Sequence, residues 1–335
     1  MGNDTETNRT GGAEPAVHDV LIVGAGIAGL SAAIYTTRER LSTLILEKYQ
    51  PGGQILTTAR VENYPGFPEP VNGMELADRL TQQAKRFGAE IVTNAEVSRI
   101  EAVTEGGNHY LDAWVRDKRY RGRAMILAVG SEYRKLDAPG EKRLTGYGVS
   151  YCGTCDAPFY KDKHVVVVGG GNTALDEGIH LLKYARHLTH VVLADRFRGE
   201  QILVEELAKF KGRTTAYFGS TVTEILGDKK VQAVIVENRK TRERKRVECD
   251  GVFVFIGLQP LTGFLKGTVE LDEHGFINTN ACRLETNVPG IWAAGDARAG
   301  TLKQAATAAG DGVVVAMIAG EYLKAHGQAP GSASA

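Results

Sequence analysis

The chain has 335 residues, of which 40 are lysine or arginine, 40 are aspartate or glutamate, and four are cysteine. At about 150 residues per domain, this length predicts two domains. The zero net charge gives no long-range field for nucleic acid or an anionic membrane, and four cysteines are too few for a disulfide-stapled scaffold. We find no signal-peptide pattern and no run of about 18 apolar residues. The sequence therefore predicts a cytoplasmic protein with no nucleic-acid partner and no membrane partner.

Both ends of the chain are polar. Residues 1–16 are rich in Gly, Thr, Asn and Glu, and residues 327–335 consist of Gly, Ser, Ala, Pro and Gln. Such segments bury too little apolar surface to offset the entropy lost on ordering. We predict a disordered N-terminus and a disordered tail.

The ordered chain opens with a nucleotide-binding pattern. Residues 20–35 contain an apolar strand, a turn with Gly24, Gly26 and Gly29, and a helix. In this pattern the first glycine permits the turn, the second lets the backbone approach a pyrophosphate, and the third permits close helix packing. A second strand ends about twenty residues later at Glu47, where an acid hydrogen-bonds an adenosine ribose. Together these features predict dinucleotide binding.

The next segments extend this first domain. The apolar periodicity of 73–87 predicts a helix, and the alternation over 90–123 predicts short antiparallel strands. Residues 125–130 form a buried strand pattern that ends in Gly130. This strand is expected to close the first nucleotide-binding half.

A Cys-x-x-Cys motif follows, with Cys152, Cys155 and an adjacent acid, Asp156. Two such thiols can close a disulfide ring, and the acid can move the protons that accompany the electrons. The alternative is half of a zinc site, which needs a second Cys or His pair to complete four ligands. Cys249 and Cys282 stand alone, and no histidine pair has ligand spacing. The motif therefore favours redox chemistry over zinc, and we predict no metal site.

A second strand–turn–helix pattern begins at His164. Its turn contains Gly169 and Gly171, with Ala174 in place of the third glycine, and its helix is predicted to run through about Arg186. Two such folds in one chain predict two bound planar redox groups, or one group and a relic site.

The last third of the chain repeats the same alternation of strand and helix. Alternating strands are predicted over 215–254, and a strand over 286–296 exits at Asp296. Residues 302–312 are expected to open the final helix.

The order of the motifs resembles a known family. Along the chain the sequence has a glycine loop at 24–29, Gly-Gly-Gln at 52–54, Glu-Asn-Tyr-Pro-Gly at 62–66, Cys-Gly-Thr-Cys-Asp at 152–156, a second glycine loop at 169–174, Gly-Asp at 295–296 and Gln-Ala at 304–305. This series is similar to that of the low-molecular-weight, bacterial-type thioredoxin reductases, class II of the pyridine nucleotide-disulfide oxidoreductases, over about residues 17–325.

The resemblance implies an α/β fold with two Rossmann-like dinucleotide-binding domains, one inserted in the other. Each would have three layers, with a parallel sheet and antiparallel crossover strands. The FAD domain would comprise 17–133 and 265–326, and the nucleotide and disulfide domain would comprise 134–264. It also implies a homodimer that alternates between two domain orientations, and a thioredoxin or thioredoxin-like protein as partner.

The resemblance further implies two sets of binding residues. The residues expected to contact FAD are Gly24, Gly26, Gly29, Glu47, Gly53, Gln54, Asn63, Gly130, Gly295, Asp296, Gln304 and Ala305. Those expected at the second nucleotide site are Gly169, Gly171, Asn172, Thr173, Asp195 and Arg196.

The chemistry that the resemblance implies involves three residues. Cys155 would be the sulfur nearer the flavin, and Cys152 would attack the disulfide of the partner protein. Asp156 would act as the general acid that protonates the leaving thiolate.

The sequence departs from the family at the second nucleotide site. NADPH-dependent relatives have a His-Arg-Arg segment there, because guanidinium groups bind the 2′-phosphate, whereas this chain has Ala194 and Asp195. An acid should accept a hydrogen bond from a ribose 2′-OH and repel a phosphate, which points toward NADH. Arg196 and Arg198 lie close by and leave NADPH open.

Three interpretations follow from this departure. The first is a nicotinamide-dependent enzyme of the thioredoxin reductase type. The second is the same disulfide reductase with a different donor, such as ferredoxin or another flavin. The third is a non-enzymatic flavin-binding or zinc-binding protein, against which the retained Cys152 and Cys155 argue.

Overall fold

The computed structural model describes residues 16–58, 61 and 63–326. Apart from Ala16, the two ends for which the sequence predicts disorder lie outside the described residues. The α-helices are, in chain order, α1 (Ile27–Arg38), α2 (Gly73–Arg86), α3 (Glu141–Leu144), α4 (Gly153–Asp156), α5 (Asn172–Leu181), α6 (Gln201–Ala208) and α7 (Ala305–Ala325).

Strands occupy both halves of the chain. They are β1 (Val17–Val23), β2 (Thr43–Leu46), β3 (Glu90–Val92), β4 (Arg99–Glu105), β5 (Asn108–Val115), β6 (Lys118–Leu127), β7 (Ser131–Tyr133), β8 (Val149–Ser150), β9 (His164–Val168), β10 (His187–Val191), β11 (Thr214–Tyr217), β12 (Ser220–Leu226), β13 (Ala233–Asn238), β14 (Arg244–Glu248), β15 (Gly251–Val254), β16 (Leu258–Pro260) and β17 (Ile291–Ala293).

The described chain forms two compact units. The first contains the chain up to Pro51, Leu80–Val129 and the chain from Thr262 onward. The second contains Gly52–Arg79 and Gly130–Leu261. The sequence assigned 52–79 to the FAD domain, whereas here this segment groups with the second unit.

The first unit is built on the parallel strands β3-β2-β1-β6-β17, with β5 and β4 added antiparallel to the other half of β6. Side chains of β1 alternate between two cores, because successive residues of a strand point to opposite faces. Val20 and Ile22 face the core that contains α1 and α7, and Leu21 and Val23 face the opposite core. The sheet thus forms the middle of three layers.

Helix α7 is long and apolar enough to cross a membrane by length and composition alone. The sequence has no uninterrupted apolar run of this length, because Asp311 and Glu321 lie within the helix. Within the first unit, Val315, Ala319 and Leu323 of α7 are buried in the core shared with α1. This packing is that of a core helix.

The second unit repeats the arrangement. Its parallel sheet has the order β11-β10-β9-β15-β8, and its antiparallel sheet has the order β12-β13-β14. Val165 and Val167 of β9 face one core, and Val166 and Val168 face the other. The strands β2-β1-β6 and β10-β9-β15 therefore occupy matching positions, and the mixed α/β architecture with two Rossmann-like domains is confirmed.

Helix α5 is shorter than the sequence predicted, since it ends at Leu181 rather than near Arg186. The chain then tightens, with the Lys183 amide donating to His180 O and the Tyr184 amide to Leu181 O. Arg213 donates from Nη2 to Leu182 O at 2.6 Å. This cation satisfies a carbonyl group at the end of the helix and allows the chain to turn into β10.

A buried histidine lies beneath the second glycine loop. His190 of β10 has no exposed surface, and neither ring nitrogen has a hydrogen-bond partner among the described residues. A Cβ atom at Gly178 would lie 3.1 Å from His190 Cε1, and the Phe197 ring packs edge-on with centroids 5.2 Å apart. The small residue of α5 thus makes room for the imidazole. Burial lowers the pKa of His190 to about 4.

We expect this histidine to make the protein sensitive to acid. The pKa of His190 is about 4 in the folded chain and 6.5 when unperturbed, so the unfolded chain binds the proton first as the pH falls. The stability that the neutral histidine allows is therefore complete above pH 6.5 and is lost as the pH falls toward 4. The free energy of unfolding should be about 2 kcal/mol lower at pH 5 than at pH 7 through this group alone. His190→Leu should remove that loss in urea titrations. The exposed control His274→Gln should keep the wild-type pH dependence, and an unchanged dependence in His190→Leu would contradict the assignment.

Candidate functional site

The first glycine loop connects β1 to α1 through close backbone contacts. Gly24 has φ +100°, and a Cβ atom there would lie 2.4 Å from Ala128 O at the end of β6. A Cβ atom at Gly29 would lie 2.0 Å from Gly24 O, whereas one at Gly26 would meet nothing within 4 Å. The first and third glycines are therefore required by packing. The second leaves open space in front of the backbone, where a ligand could approach.

Glu47 follows β2 and is held against this loop. Its Oε2 accepts from the Ala25 amide at 2.7 Å, and its Oε1 accepts from the Tyr49 amide at 2.9 Å. The residue is 9 % exposed. A carboxylate has about four acceptor positions, so two remain for other donors such as ribose hydroxyl groups. Two backbone amides therefore fix Glu47, the predicted acceptor for the ribose, at the carboxyl edge of the sheet.

The turn after β17 is held by an ion pair that the motifs did not indicate. Asp311 Oδ2 accepts from the Gly295 amide at 3.0 Å and from Arg298 Nε at 3.1 Å. Lys303 Nζ donates to Asp296 O at 2.7 Å. Burial raises the pKa of the Asp296 carboxyl group and lowers that of Lys303 to about 8. Asp296 thus lies in a fixed turn in front of the first residues of α7.

Helix α7 begins at Ala305, directly after Gln304. The first amides of a helix have no acceptor within the helix and carry partial positive charge. The Gln304–Ala305 pair therefore places backbone donors at the N-terminus of a 21-residue helix.

Four of the predicted FAD residues lie in the second unit. Gly53 has φ +64° and starts a short 3-10 helix, and Gln54 Nε2 donates to Ser131 O. Gly130 has φ +71°, and a Cβ atom there would meet nothing within 4 Å. Asn63 lies in the irregular segment before α2.

The second glycine loop repeats the geometry of the first. Gly169 has φ +138°, and a Cβ atom there would lie 2.3 Å from Phe255 O. A Cβ atom at Gly171 would meet nothing within 4 Å, and Ala174 is buried in the position of the third glycine. The second unit therefore also presents open backbone at the start of a helix.

Hydrogen bonds identify the equivalent of Glu47 in the second unit. The Gly24 amide donates to Leu46 O and the Gly169 amide to Val191 O, and the residues that follow these acceptors donate to the next strand. By this register the counterpart of Glu47 is Val192, which is buried. Asp195 is four residues beyond the end of β10 and is exposed.

The loop after β10 is folded back onto the start of α5. The Arg198 amide donates to Gly170 O at 2.7 Å, and Asn172 exchanges hydrogen bonds with Glu200, accepting from its amide at 2.7 Å. Thr173 is exposed on the first turn of α5. Asp195 and Arg196 are thus on a loop that is anchored beside the glycine turn.

The two cysteines of the motif form a disulfide, with their Cα atoms 5.3 Å apart. Cys152 precedes the single turn of α4, and its Sγ accepts from the Cys155 amide at 3.2 Å. Ser150 Oγ accepts from the Cys152 amide at 3.1 Å. The sulfur of Cys152 therefore already has a backbone donor, which is the environment that stabilises a thiolate.

Asp156 ends this turn and is partly buried. Burial raises the pKa of its carboxyl group, and a hydrogen bond with Ser150 partly opposes the rise.

The other two cysteines differ from the disulfide pair. Cys249 is buried and its thiol pKa is raised to about 12 by burial, and Cys282 is exposed. No group of metal ligands is found among the described residues.

Comparison with known proteins agrees with this geometry. Residues 18–312 match the family model described as pyridine nucleotide-disulphide oxidoreductase. The chain belongs to this family. It is 42% identical over 312 residues to the thioredoxin reductases of Listeria innocua and Bacillus subtilis, covering 93% of this chain and 95% and 96% of theirs. A thioredoxin reductase structure from Streptococcus pyogenes superposes with a TM-score of 0.86 at 37% identity, covering 92% of this chain and 99% of that one.

As a pyridine nucleotide-disulphide oxidoreductase, the chain is an FAD-dependent flavoprotein that also uses a nicotinamide cofactor, and Cys152–Cys155 is its redox disulfide. The residues of the first unit, taken by themselves, fit an FAD site. It offers the open backbone at Gly26, the fixed acceptor Glu47 and the helix start at Ala305. The second unit offers an equivalent loop at Gly171 for a second dinucleotide.

Sequence reasoning missed several residues that hold these family sites together. Ser150, Glu177 and Asp311 each bind a backbone amide of a predicted site segment. None belongs to a motif with characteristic spacing. Only the position of Ser150, two residues before Cys152, could have drawn attention to it.

The two open glycines provide a test of cofactor assignment. Because neither position has positive φ or a nearby protein atom, alanine should fold normally and hinder only a bound ligand. Gly26→Ala should weaken FAD binding about tenfold or more, a cost of about 1.4 kcal/mol. Gly171→Ala should retain FAD and weaken nicotinamide nucleotide binding. FAD content after dialysis measures the first effect, and nucleotide titration measures the second. If Gly171→Ala lost FAD and Gly26→Ala did not, the assignment of the two loops would be reversed.

Proposed function

We propose that this flavoprotein reduces the disulfide of thioredoxin or a thioredoxin-like protein. The observation that carries the proposal is the Cys152–Cys155 disulfide on a one-turn helix, in a chain 42% identical over 93% of its length to thioredoxin reductases. FAD, when bound, supplies two-electron exchange between a nicotinamide nucleotide and this disulfide. The family match also argues against the alternative of a ferredoxin or a second flavin as donor.

The thiol chemistry assigns different roles to the two sulfurs. In the dithiol form, the Cys152 thiolate attacks one sulfur of the partner disulfide and releases the other as a thiolate. Cys155 then attacks Cys152, which frees the second partner thiol and re-forms the Cys152–Cys155 bond. Two electrons leave the pair and two enter the partner. The amide of Cys155, which donates to Cys152 Sγ, supports Cys152 as the attacking group.

We assign the proton transfer to Asp156. Its pKa is raised by burial, so this carboxyl group keeps a proton to a higher pH than an exposed aspartate does. It follows Cys155 directly in the chain and is linked to Ser150, which also binds the Cys152 amide. A proton donor in this position can neutralise a thiolate as it leaves.

For the nicotinamide site we propose NADH as the preferred donor. Asp195 is exposed on the anchored loop beyond β10 and can accept from a ribose 2′-OH. The counterpart of Glu47 at the strand end is the apolar Val192, so the acid must come from this loop. A carboxylate there would repel the 2′-phosphate of NADPH.

We further propose a cytoplasmic homodimer. In the first unit Tyr35 of α1 and Val314 and Met317 of α7 are apolar and exposed. Exposed apolar side chains on these two helices suit contact with a second copy. Sedimentation at the mass of one chain would exclude the dimer.

The cytoplasmic location follows from the thiol chemistry. A dithiol that reduces other proteins belongs in a reducing compartment, and cell fractionation tests that location.

Replacing the cysteines tests the proposed function directly. Cys152→Ser and Cys155→Ser should each abolish nucleotide-dependent reduction of thioredoxin, because two sulfurs are needed to carry two electrons, while FAD stays bound. Cys249→Ser and Cys282→Ser are the controls and should keep activity. The assay is nucleotide oxidation with thioredoxin and a disulfide reporter. Loss of activity in a folded Cys249→Ser or Cys282→Ser variant would show that other thiols carry the reaction.

The donor preference is tested at Asp195. Asp195→Ser should move the ratio of kcat/KM for NADH over NADPH toward NADPH by about 1 to 3 kcal/mol, since it removes a repulsive charge and a hydrogen bond. Arg196→Ser, in the same loop with the opposite charge, should move the ratio toward NADH. A wild-type enzyme that clearly prefers NADPH would refute the NADH assignment.

A further inference from the structure

A glutamate on α5 is bonded to the redox loop. Glu177 Oε2 accepts from the Thr154 amide at 2.7 Å, and Glu177 Oε1 accepts from the Thr154 hydroxyl at 3.2 Å. Thr154 lies between the two cysteines. A Cβ atom at Gly153 would lie 2.3 Å from Glu177 Oε2, so the glycine leaves the space that the carboxylate fills.

This contact divides the free amides of α4 between two acceptors. The Cys155 amide donates to Cys152 Sγ, and the Thr154 amide donates to Glu177. Amides at the start of a helix are the donors that would otherwise favour a thiolate. Glu177 takes one of them and holds a carboxylate against Thr154, the residue directly before Cys155.

We propose that Glu177 is a positioning residue of the redox pair, which holds the loop in the ring-closed conformation and disfavours the Cys152 thiolate. Both effects stabilise the disulfide relative to the dithiol, so they make the dithiol a stronger reductant. Anchoring the loop keeps the two sulfurs at bonding distance. A fixed carboxylate raises the free energy of a thiolate near it.

The anchor also joins the redox loop to the second glycine loop. Glu177 lies five residues after Asn172, the first residue of α5, which corresponds to about 7.5 Å along a helix. One helix thus carries the glycine turn at its start and the redox anchor on its second turn. This inference rests on the proposed role of Cys152 and Cys155 as the redox pair.

The test uses the FAD-containing enzyme in anaerobic glutathione buffers, without thioredoxin or nicotinamide nucleotide. The fraction of Cys152–Cys155 dithiol is measured by alkylation and mass spectrometry, and the pH dependence of Cys152 alkylation gives its thiol pKa. Glu177→Gln keeps an acceptor and removes the charge. It should lower the thiol pKa by about half a unit or more and raise the dithiol-to-disulfide ratio about threefold or more.

Two further variants separate charge from anchoring. Gly153→Ala keeps the charge but pushes the carboxylate away from Thr154, and it should also raise the dithiol fraction, with a smaller change in the thiol pKa. Asp176→Asn removes a neighbouring exposed charge of α5 and is the control, with wild-type values expected. Unchanged ratio and pKa in Glu177→Gln, with a pair that is still reduced reversibly, would overturn this inference alone. A pair that excess dithiothreitol does not reduce in the wild-type enzyme or in any variant would overturn both it and the proposed function.

Discussion

Both halves of this protein depend on one constraint: at two glycines, a backbone carbonyl group occupies the space that a Cβ atom would need. Gly24 fits against Ala128 O, and Gly169 fits against Phe255 O. In each case the chain turns from a parallel strand into a helix, and the parallel strand paired directly with it (β6 for β1, β15 for β9) leads into the residue that provides the carbonyl group. Any side chain there would displace a central strand. The same turn leaves Gly26 and Gly171 facing open space, which is how a packing constraint produces two dinucleotide loops.

The redox motif depends on the second of these turns. Helix α5 begins at the glycine loop, and its Glu177 holds Thr154 between the two cysteines. Ser150 at the end of β8 holds the amide of Cys152. The disulfide is therefore supported on both sides by residues of one parallel sheet and its helix, rather than by a free loop. This arrangement fixes the sulfurs while leaving one-turn helix α4 accessible for exchange, since Thr154 is exposed.

Much of the fold could be predicted because its signals are local. The two strand–glycine–helix patterns, at 20–35 and from His164 onward, depend on residues close in sequence, and both occur where they were expected. The helix end at Leu181 could not be predicted, because Arg213 on a distant segment binds the carbonyl group there. The space for His190 depends on Gly178, which no periodicity reveals.

The site residues also divide into those that the sequence could predict and those that only the fold reveals. Cys152, Cys155 and the glycines belong to motifs whose spacing has a chemical reason, so the sequence could predict them as site residues. Glu177 and Asp311 act through hydrogen bonds to residues 23 and 16 positions away, and such contacts exist only in the folded chain. Asp195 shows the same limit. The sequence predicted it as the acid of the second nucleotide site, whereas the hydrogen-bond register gives the position equivalent to Glu47 to Val192.

The central claim is that Cys152 is the sulfur that exchanges with the partner protein. It can be tested by trapping. Cys155→Ser enzyme is mixed with a thioredoxin whose surface cysteine is activated as a thionitrobenzoate disulfide and whose second cysteine is serine, and the product is digested and analysed by mass spectrometry. The account predicts a stable mixed disulfide on the peptide that contains Cys152, with one thionitrobenzoate released per bond. A mixed disulfide on Cys249 or Cys282, or trapping through Cys155 in Cys152→Ser but not through Cys152 in Cys155→Ser, would contradict it.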